Sequence, residues 1–174
     1  MTTASPLFPV SSSLVSPLVI VSGGQTGVDR AALDAARQVG LACTGWCPKG
    51  RWAEDGPLPL EYPLIETPEA DPEQRTEWNV RDSHATLIIV EDELCGGTYF
   101  TLQCALRLRR PCALITLQLR DAPRLAFEWI HRVRPLRLNI AGPRESEHPG
   151  IYARSYALLT QVLSSAKVSL LASP

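Results

Sequence analysis

At 174 residues the chain fits one domain, which should bury roughly two thirds of the surface its unfolded form exposes. Its net charge of −1, from 17 Lys and Arg against 18 Asp and Glu, argues against a protein built to grip nucleic-acid phosphates. No apolar run approaches the 18 residues that would suggest a membrane span, and the odd set Cys43, Cys47, Cys95, Cys104 and Cys112, without a C-x-x-C pair, suits reduced thiols in a cytoplasmic protein better than disulfides or zinc.

Residues 1–17 are rich in Ser, Thr and Pro and are expected to form a disordered arm ahead of a domain over 18–172. The first basic residue is Arg30, and Pro6, Pro9 and Pro17 interrupt the stretch, so no signal peptide is expected. A β-branched strand at about 18–22 then stops at Gly23, Gly24 and Gly27, and a helical period follows at Val28, Ala31, Ala32, Ala35, Ala36 and Val39, with Gly40 as its stop. Strand, glycine loop and helix in that order allow two readings. Backbone N–H groups can converge at the positive helix end as an anion cradle. Alternatively the stretch is a tight turn in which Thr26 caps the helix and Asp29 completes a T-x-x-D box. The motif matches neither G-x-G-x-x-G nor a P-loop, because no Lys-Ser/Thr follows Gly27.

A short strand at 41–44 leads into a long loop over residues 45–57, which carries Trp46, Lys49, Gly50, Trp52, Glu54 and Asp55. A loop of that length and mixture exceeds what a connector requires, and two tryptophans argue against disorder. A third strand at 62–66 precedes a helix that Asp71 caps and Pro72 opens, running to about Ser83. The continuous apolar run 85–90 reads as a buried strand. A second glycine loop at 94–98 leads into a helix to about Arg110. Strands at 112–116 and 136–141 and helices opened by Asp121 and by the 142–146 turn complete the chain.

Strands alternating with helices predict an α/β fold: a single Rossmann-like, doubly wound, mainly parallel sheet of about six strands with helices on both faces. The unusual loops all follow the carboxyl ends of strands, which is where such sheets bind ligands. Charge is uneven. Residues 54–93 hold twelve acids against two arginines, and residues 107–137 hold eight arginines against two acids. That pattern fits solvated helix faces or a basic face for a partner.

Six blocks resemble the molybdenum carrier family: 22–30, 45–50, 53–56, 75–80, 96–98 and 141–146, in order across residues 18–163. That family resembles the algal molybdenum cofactor carriers and shares a Rossmann-like superfamily with the lonely guy phosphoribohydrolases. The resemblance implies a homo-oligomer (dimer or tetramer) that binds, stores or protects molybdenum cofactor (molybdopterin), with molybdenum enzymes as acceptors and with no nucleic acid or membrane partner. It also implies that both glycine loops face the ligand. Gly23, Gly24, Gln25, Thr26 and Gly27 on one side, and Gly96, Gly97, Thr98 and Thr101 on the other, are the candidate phosphate contacts. Lys49, Gly50, Arg30, Arg144 and Ser146 are candidates for compensating charge and hydrogen bonds. Trp46 and Trp52 can stack on a ring, and Asp29, Glu54, Asp55, Glu77 and Asn79 can accept or donate at its edge. Lys49, Arg144, the tryptophans and the acids each have an equally plain structural role as solvated, paired, anchoring or capping residues. His84 stands where the family usually carries Asp.

Two other classes remain open from the residues. One is a nucleotide N-glycoside hydrolase, although residues 98–108 lack the acid that the phosphoribohydrolases carry there and an acid from elsewhere, such as Glu77 or Glu91, would have to replace it. The other is a nucleotide or ADP-ribose sensor. No metal-ligand set and no catalytic triad or dyad stands out, since His84, His131 and His148 fall on different elements.

Overall fold

The computed structural model describes residues 18–94 and 96–171. The expected arm at 1–17 and Cys95 lie outside them. The strands are β1 (Val19–Val21), β2 (Ala42–Cys47), β3 (Leu64–Glu66), β4 (Ala85–Val90), β5 (Cys112–Thr116) and β6 (Arg137–Ala141). The helices are α1 (Val28–Gln38), α2 (Pro72–Arg81), α3 (Gly96–Arg107), α4 (Ala122–Val133) and α5 (Ile151–Leu171), with a 3-10 turn at Lys49–Arg51. Every strand pairing is parallel, and the order is β3-β2-β1-β6-β4-β5.

The order explains where a site can form. From β1 the chain steps outward through β2 to β3, crosses to β4 and β5, and returns to insert β6 between β1 and β4. The helices that leave β1 and β4 lie on opposite faces and diverge around β6. On one face α1, α4 and α5 pack on the sheet around Leu87, Ile89, Leu138, Ile140, Leu159 and Leu163. On the other, Val80 of α2 meets Cys104 and Ala105 of α3. Each large aliphatic side chain removed from water in these layers contributes about 1.5–3 kcal/mol. Strand β4 lies between both layers and is buried at all six positions, as its unbroken apolar run requires. The alanine stripe of α1 (Ala31, Ala32, Ala35, Ala36) is wholly buried and lets α5 come close.

Two expectations need correction. Strand β2 runs on to Cys47, because Gly45, Trp46 and Cys47 pair with Leu64, Ile65 and Glu66, so the long loop starts later than residue 45. The T-x-x-D capping box does not form. The N-cap of α1 is Gly27, with no side-chain cap, and the Thr26 hydroxyl is taken instead by Glu54 and the Glu145 N–H.

Candidate functional site

Loops after β1 and β6 meet directly. Gly27 holds φ at 73°, and a Cβ there would stand 2.3 Å from the Pro143 carbonyl, so only glycine permits the approach. The Val28 N–H then donates to Pro143 O at 3.2 Å and the Glu145 N–H donates to Thr26 Oγ1 at 3.2 Å. This seam divides the carboxyl end of the sheet into two cavities.

The first, of about 100 Å³, lies between the glycine loop and the amino end of α3. It brings together Gln25, Asp29, Gly96, Gly97, Thr98, Thr101 and Arg144, seven of the residues expected from sequence. Gln25 is 5% exposed and Thr98 is 4% exposed. The Gln25 Oε1 accepts from the N–H groups of Thr26 (3.0 Å) and Glu54 (2.9 Å), which fixes the carboxamide and leaves its Nε2 as a donor. Neither that Nε2 nor the Thr98 hydroxyl has a hydrogen-bond partner among the described residues. Buried donors are ordinarily satisfied. Arg75, which lines the same cavity, has a buried Nε with no partner among the described residues, and with the Gln25 and Thr98 donors that open onto the cavity at the amino end of α3 it marks a place prepared for an acceptor.

Asp29 forms the inner wall. It is 3% exposed and accepts from Arg75 Nη1 at 2.8 Å. Burial pushes its carboxyl above the ordinary value, against the pull of Arg75, the Gln25 backbone N–H and Arg144. The pair needs Gly23, because a Cβ there would lie 1.9 Å from Arg75 Nη1. Asp29 therefore neutralises a cation at the cavity wall. Arg144 lines the same cavity, and its guanidinium lies over the ring of exposed Trp52, 5.9 Å from the centroid.

The second cavity is a groove of about 540 Å³ on the α5 side of the seam. Thr26, Gly27, Arg30, Glu54, Asp55 and Ser146, also expected from sequence, line it together with Asp34, Tyr62, Glu145 and Tyr152. Here the polar groups satisfy one another. Arg30 donates to both oxygens of Asp55 at 3.2 and 3.1 Å. Tyr62 and Tyr152 donate to the two oxygens of Asp34 at 2.8 Å each, and burial with that carboxylate pushes the Tyr152 phenol up to about 12. Glu54 binds Thr26 and accepts from the Ser146 N–H (3.2 Å) and hydroxyl (2.6 Å).

Eight expected residues line neither cavity, Trp52 among them. Gly23 stands behind the first one, against Arg75, and Gly24 packs on Leu58 and Leu64. The Trp46 backbone is clamped by the Asn79 carboxamide at 2.7 and 2.9 Å, and its indole donates to Asp82 at 2.8 Å with its ring edge-on to Trp78. Both are therefore engaged in structure. Lys49 and Gly50 sit in the exposed 3-10 turn, and Glu77 pairs with Arg107 at 3.1 Å. His84 lies at the amino end of β4, where its Nδ1 accepts from the Arg137 N–H at 3.1 Å, so the departure at this position falls at the opposite end of the sheet from both cavities. Cys47 is buried beneath the long loop, and burial raises its thiol. Sequence reasoning did not assign a contact to Arg75, whose signal was its place as one of two arginines among twelve acids in residues 54–93.

The matching family model covers residues 20–163, most of the chain. The chain belongs to the circularly permutated YpsA SLOG family. A crystal structure from this comparison, that of a "putative molybdenum carrier protein" from Syntrophus aciditrophicus, is 44% identical and superposes with a TM-score of 0.82, over 85% of this chain and 96% of the other. Among curated proteins none matches. The likeness agrees with the six-stranded parallel sheet and places both glycine loops and the seam inside the region that defines the family.

Proposed function

We propose that this protein binds a phosphorylated heterocycle of the molybdenum-cofactor type, and stores or protects it rather than transforming it. One observation carries the reading: Arg75, with a buried Nε that has no partner among the described residues, lines a cavity onto which the unpartnered Gln25 Nε2 and Thr98 Oγ1 also open at the amino end of α3. An oxyanion is the acceptor that suits a neutral amide, a hydroxyl, helix N–H groups and two arginines together. A volume of about 100 Å³ holds a phosphate-sized group and falls below the roughly 300 Å³ at which whole small-molecule pockets begin. Arg75, Arg144, Thr98 and Gln25 would therefore hold the phosphate, with the ring at the mouth beside Arg144 and Trp52. When bound, the cofactor would supply a dithiolene that holds molybdenum. The name of the Syntrophus relative supports a molybdenum-related ligand. The same reading carries a cytoplasmic homo-oligomer that passes its ligand to molybdenum enzymes. Among the described residues no helix is long and apolar enough to cross a membrane.

The hydrolase reading finds less support. Glu77 and Glu91, named as examples of an acid that could replace the missing one, pair with Arg107 at 3.1 Å and Arg154 at 2.7 Å and line neither cavity, and of the two glutamates that do line the first, Glu73 and Glu147, the latter accepts from the Arg144 N–H at 2.9 Å. Purification without oxygen, followed by assay of bound pterin and molybdenum, tests the proposal. Retained pterin, lost in Gln25→Ala with Thr98→Val, is the expected result. Absence of pterin and molybdenum, with no uptake of added cofactor, overturns it.

A further inference from the structure

We propose that the amino end of the sheet, opposite both cavities, is a docking surface for an acidic segment of a partner protein. Three turns, at residues 82–84, 108–111 and 134–136, lead into β4, β5 and β6, which are neighbours in the sheet. Side chains stitch them together. Arg110 Nη2 donates to the Arg81 carbonyl at 2.8 Å, and Arg137 Nε donates to the Asp82 carbonyl at 2.8 Å. Arg81, Arg109, Arg110, Arg134 and Arg137 thereby share one rim, and Asp82 is the single acid in residues 81–84, 108–111 and 134–137.

Helices α2, α3 and α4 all end at this rim, and each carboxyl end carries roughly half a negative charge that cations offset. Three such ends and Asp82 amount to about −2.5 against five arginines, so positive charge remains. Arg81 is taken up by Asp82 at 2.7 and 2.8 Å. The guanidinium groups of Arg109 and Arg134 have no partner among the described residues, and both residues hold left-handed backbone, φ 52° and 50°. Their charge serves no visible internal contact.

The surface suits protein carboxylates better than nucleic acid. Leu136, between Arg134 and Arg137, is 53% exposed and offers an apolar contact amid the arginines. Trp78 has its ring under Arg81, 4.5 Å from the centroid, and against Trp46, which leaves it poorly placed to stack on a base. Strands of five or six residues separate the two ends by roughly 15–20 Å, so a partner docked here leaves the ligand cavity free.

The test uses the full chain and a fluorescein-labelled ten-residue peptide alternating Glu and Leu, with its Gln-for-Glu counterpart and a ten-nucleotide oligouridine as comparison. The acidic peptide should bind, its affinity should fall steeply between 50 and 200 mM salt, and the Gln peptide should not bind. Arg109→Asn with Arg134→Asn should weaken binding at least tenfold. Asn tolerates the left-handed backbone, so this variant keeps the fold. Leu136→Ser should weaken binding several-fold. Tighter binding of oligouridine than of the acidic peptide, undiminished binding by the double variant, or no peptide binding overturns the proposal.

Discussion

The two cavities flanking the Thr26–Glu145 seam differ in a way that size alone conceals. The α5-side groove has about five times the volume of its neighbour, yet its carboxylates are engaged with its own tyrosines, serine, threonine and arginine. The smaller cavity is lined by Arg75, whose buried Nε has no partner among the described residues, and by the Gln25 and Thr98 donors, which have none either. A folded chain loses about 1–3 kcal/mol for each buried polar group left unsatisfied. Such groups persist where something outside the chain completes them, so unmet hydrogen-bonding capacity, rather than space, distinguishes the candidate site from a structural network.

The largest expected effect comes from the wall between ligand and core. Arg75→Ala strands the Asp29 carboxylate in the interior, and loss of one member of a buried pair costs about 3–5 kcal/mol. Urea denaturation should show that drop. Arg75→Ala with Asp29→Asn should recover part of it, because the stranded charge is gone. An equal loss in the double variant would mean that packing, not charge, holds the wall.

Gly97→Ala separates folding from binding. A Cβ at Gly97 meets no atom within 4 Å and φ there is not positive, so helix α3 should tolerate the change, or gain up to about 1 kcal/mol. The same methyl stands at the amide donors, and binding of a phosphate-bearing pterin should weaken at least tenfold, about 1.4 kcal/mol. Asp34→Asn is its counterpart across the seam. It loses the shared acceptor of Tyr62 and Tyr152 and should cost about 1 kcal/mol of stability while leaving ligand affinity unchanged. If Asp34→Asn weakens binding as much as Gly97→Ala does, the contrast between the two cavities fails.

The fold was legible because its signals are local. The apolar run of β4, the alanine stripe of α1 and the Asp71-Pro72 start of α2 each state their element within a few residues. Placement of both glycine loops at the carboxyl end of the sheet follows from parallel topology, and Gln25, Asp29, Gly96, Gly97, Thr98, Thr101 and Arg144 do meet there. The seam was not legible. It depends on Thr26 and Glu145, 119 positions apart, and on the insertion of β6 between β1 and β4, which no local pattern encodes. Trp46 and Asn79 misled for a related reason. A tryptophan in a polar stretch reads as a ligand platform, whereas pairing of β2 with β3 draws it into the sheet edge, where Asn79 clamps its backbone.

The smallest effect bears on how the seam is closed. Glu54 joins the long loop to both other loops through Thr26 and Ser146. Its partial burial acts to raise the carboxyl, but hydrogen bonds from Ser146 and Thr26, and then the Arg144 charge, outweigh that and hold it below the ordinary value. A carboxyl lowered on folding adds stability above its unfolded value of about 4.3, and that stability is lost as pH falls through the folded value. Glu54→Gln removes the charged acceptor and should cost about 1 kcal/mol near neutral pH, a modest figure because the side chain is exposed. The gap between wild-type and Glu54→Gln urea midpoints should therefore be full at pH 7 and shrink as pH falls below about 4. A gap that stays constant with pH would assign the seam to the glycine contact at Pro143 alone. The two cavities would then be separated by backbone shape, and the Glu54 charge would have no part in keeping the groove and the donor-lined cavity distinct.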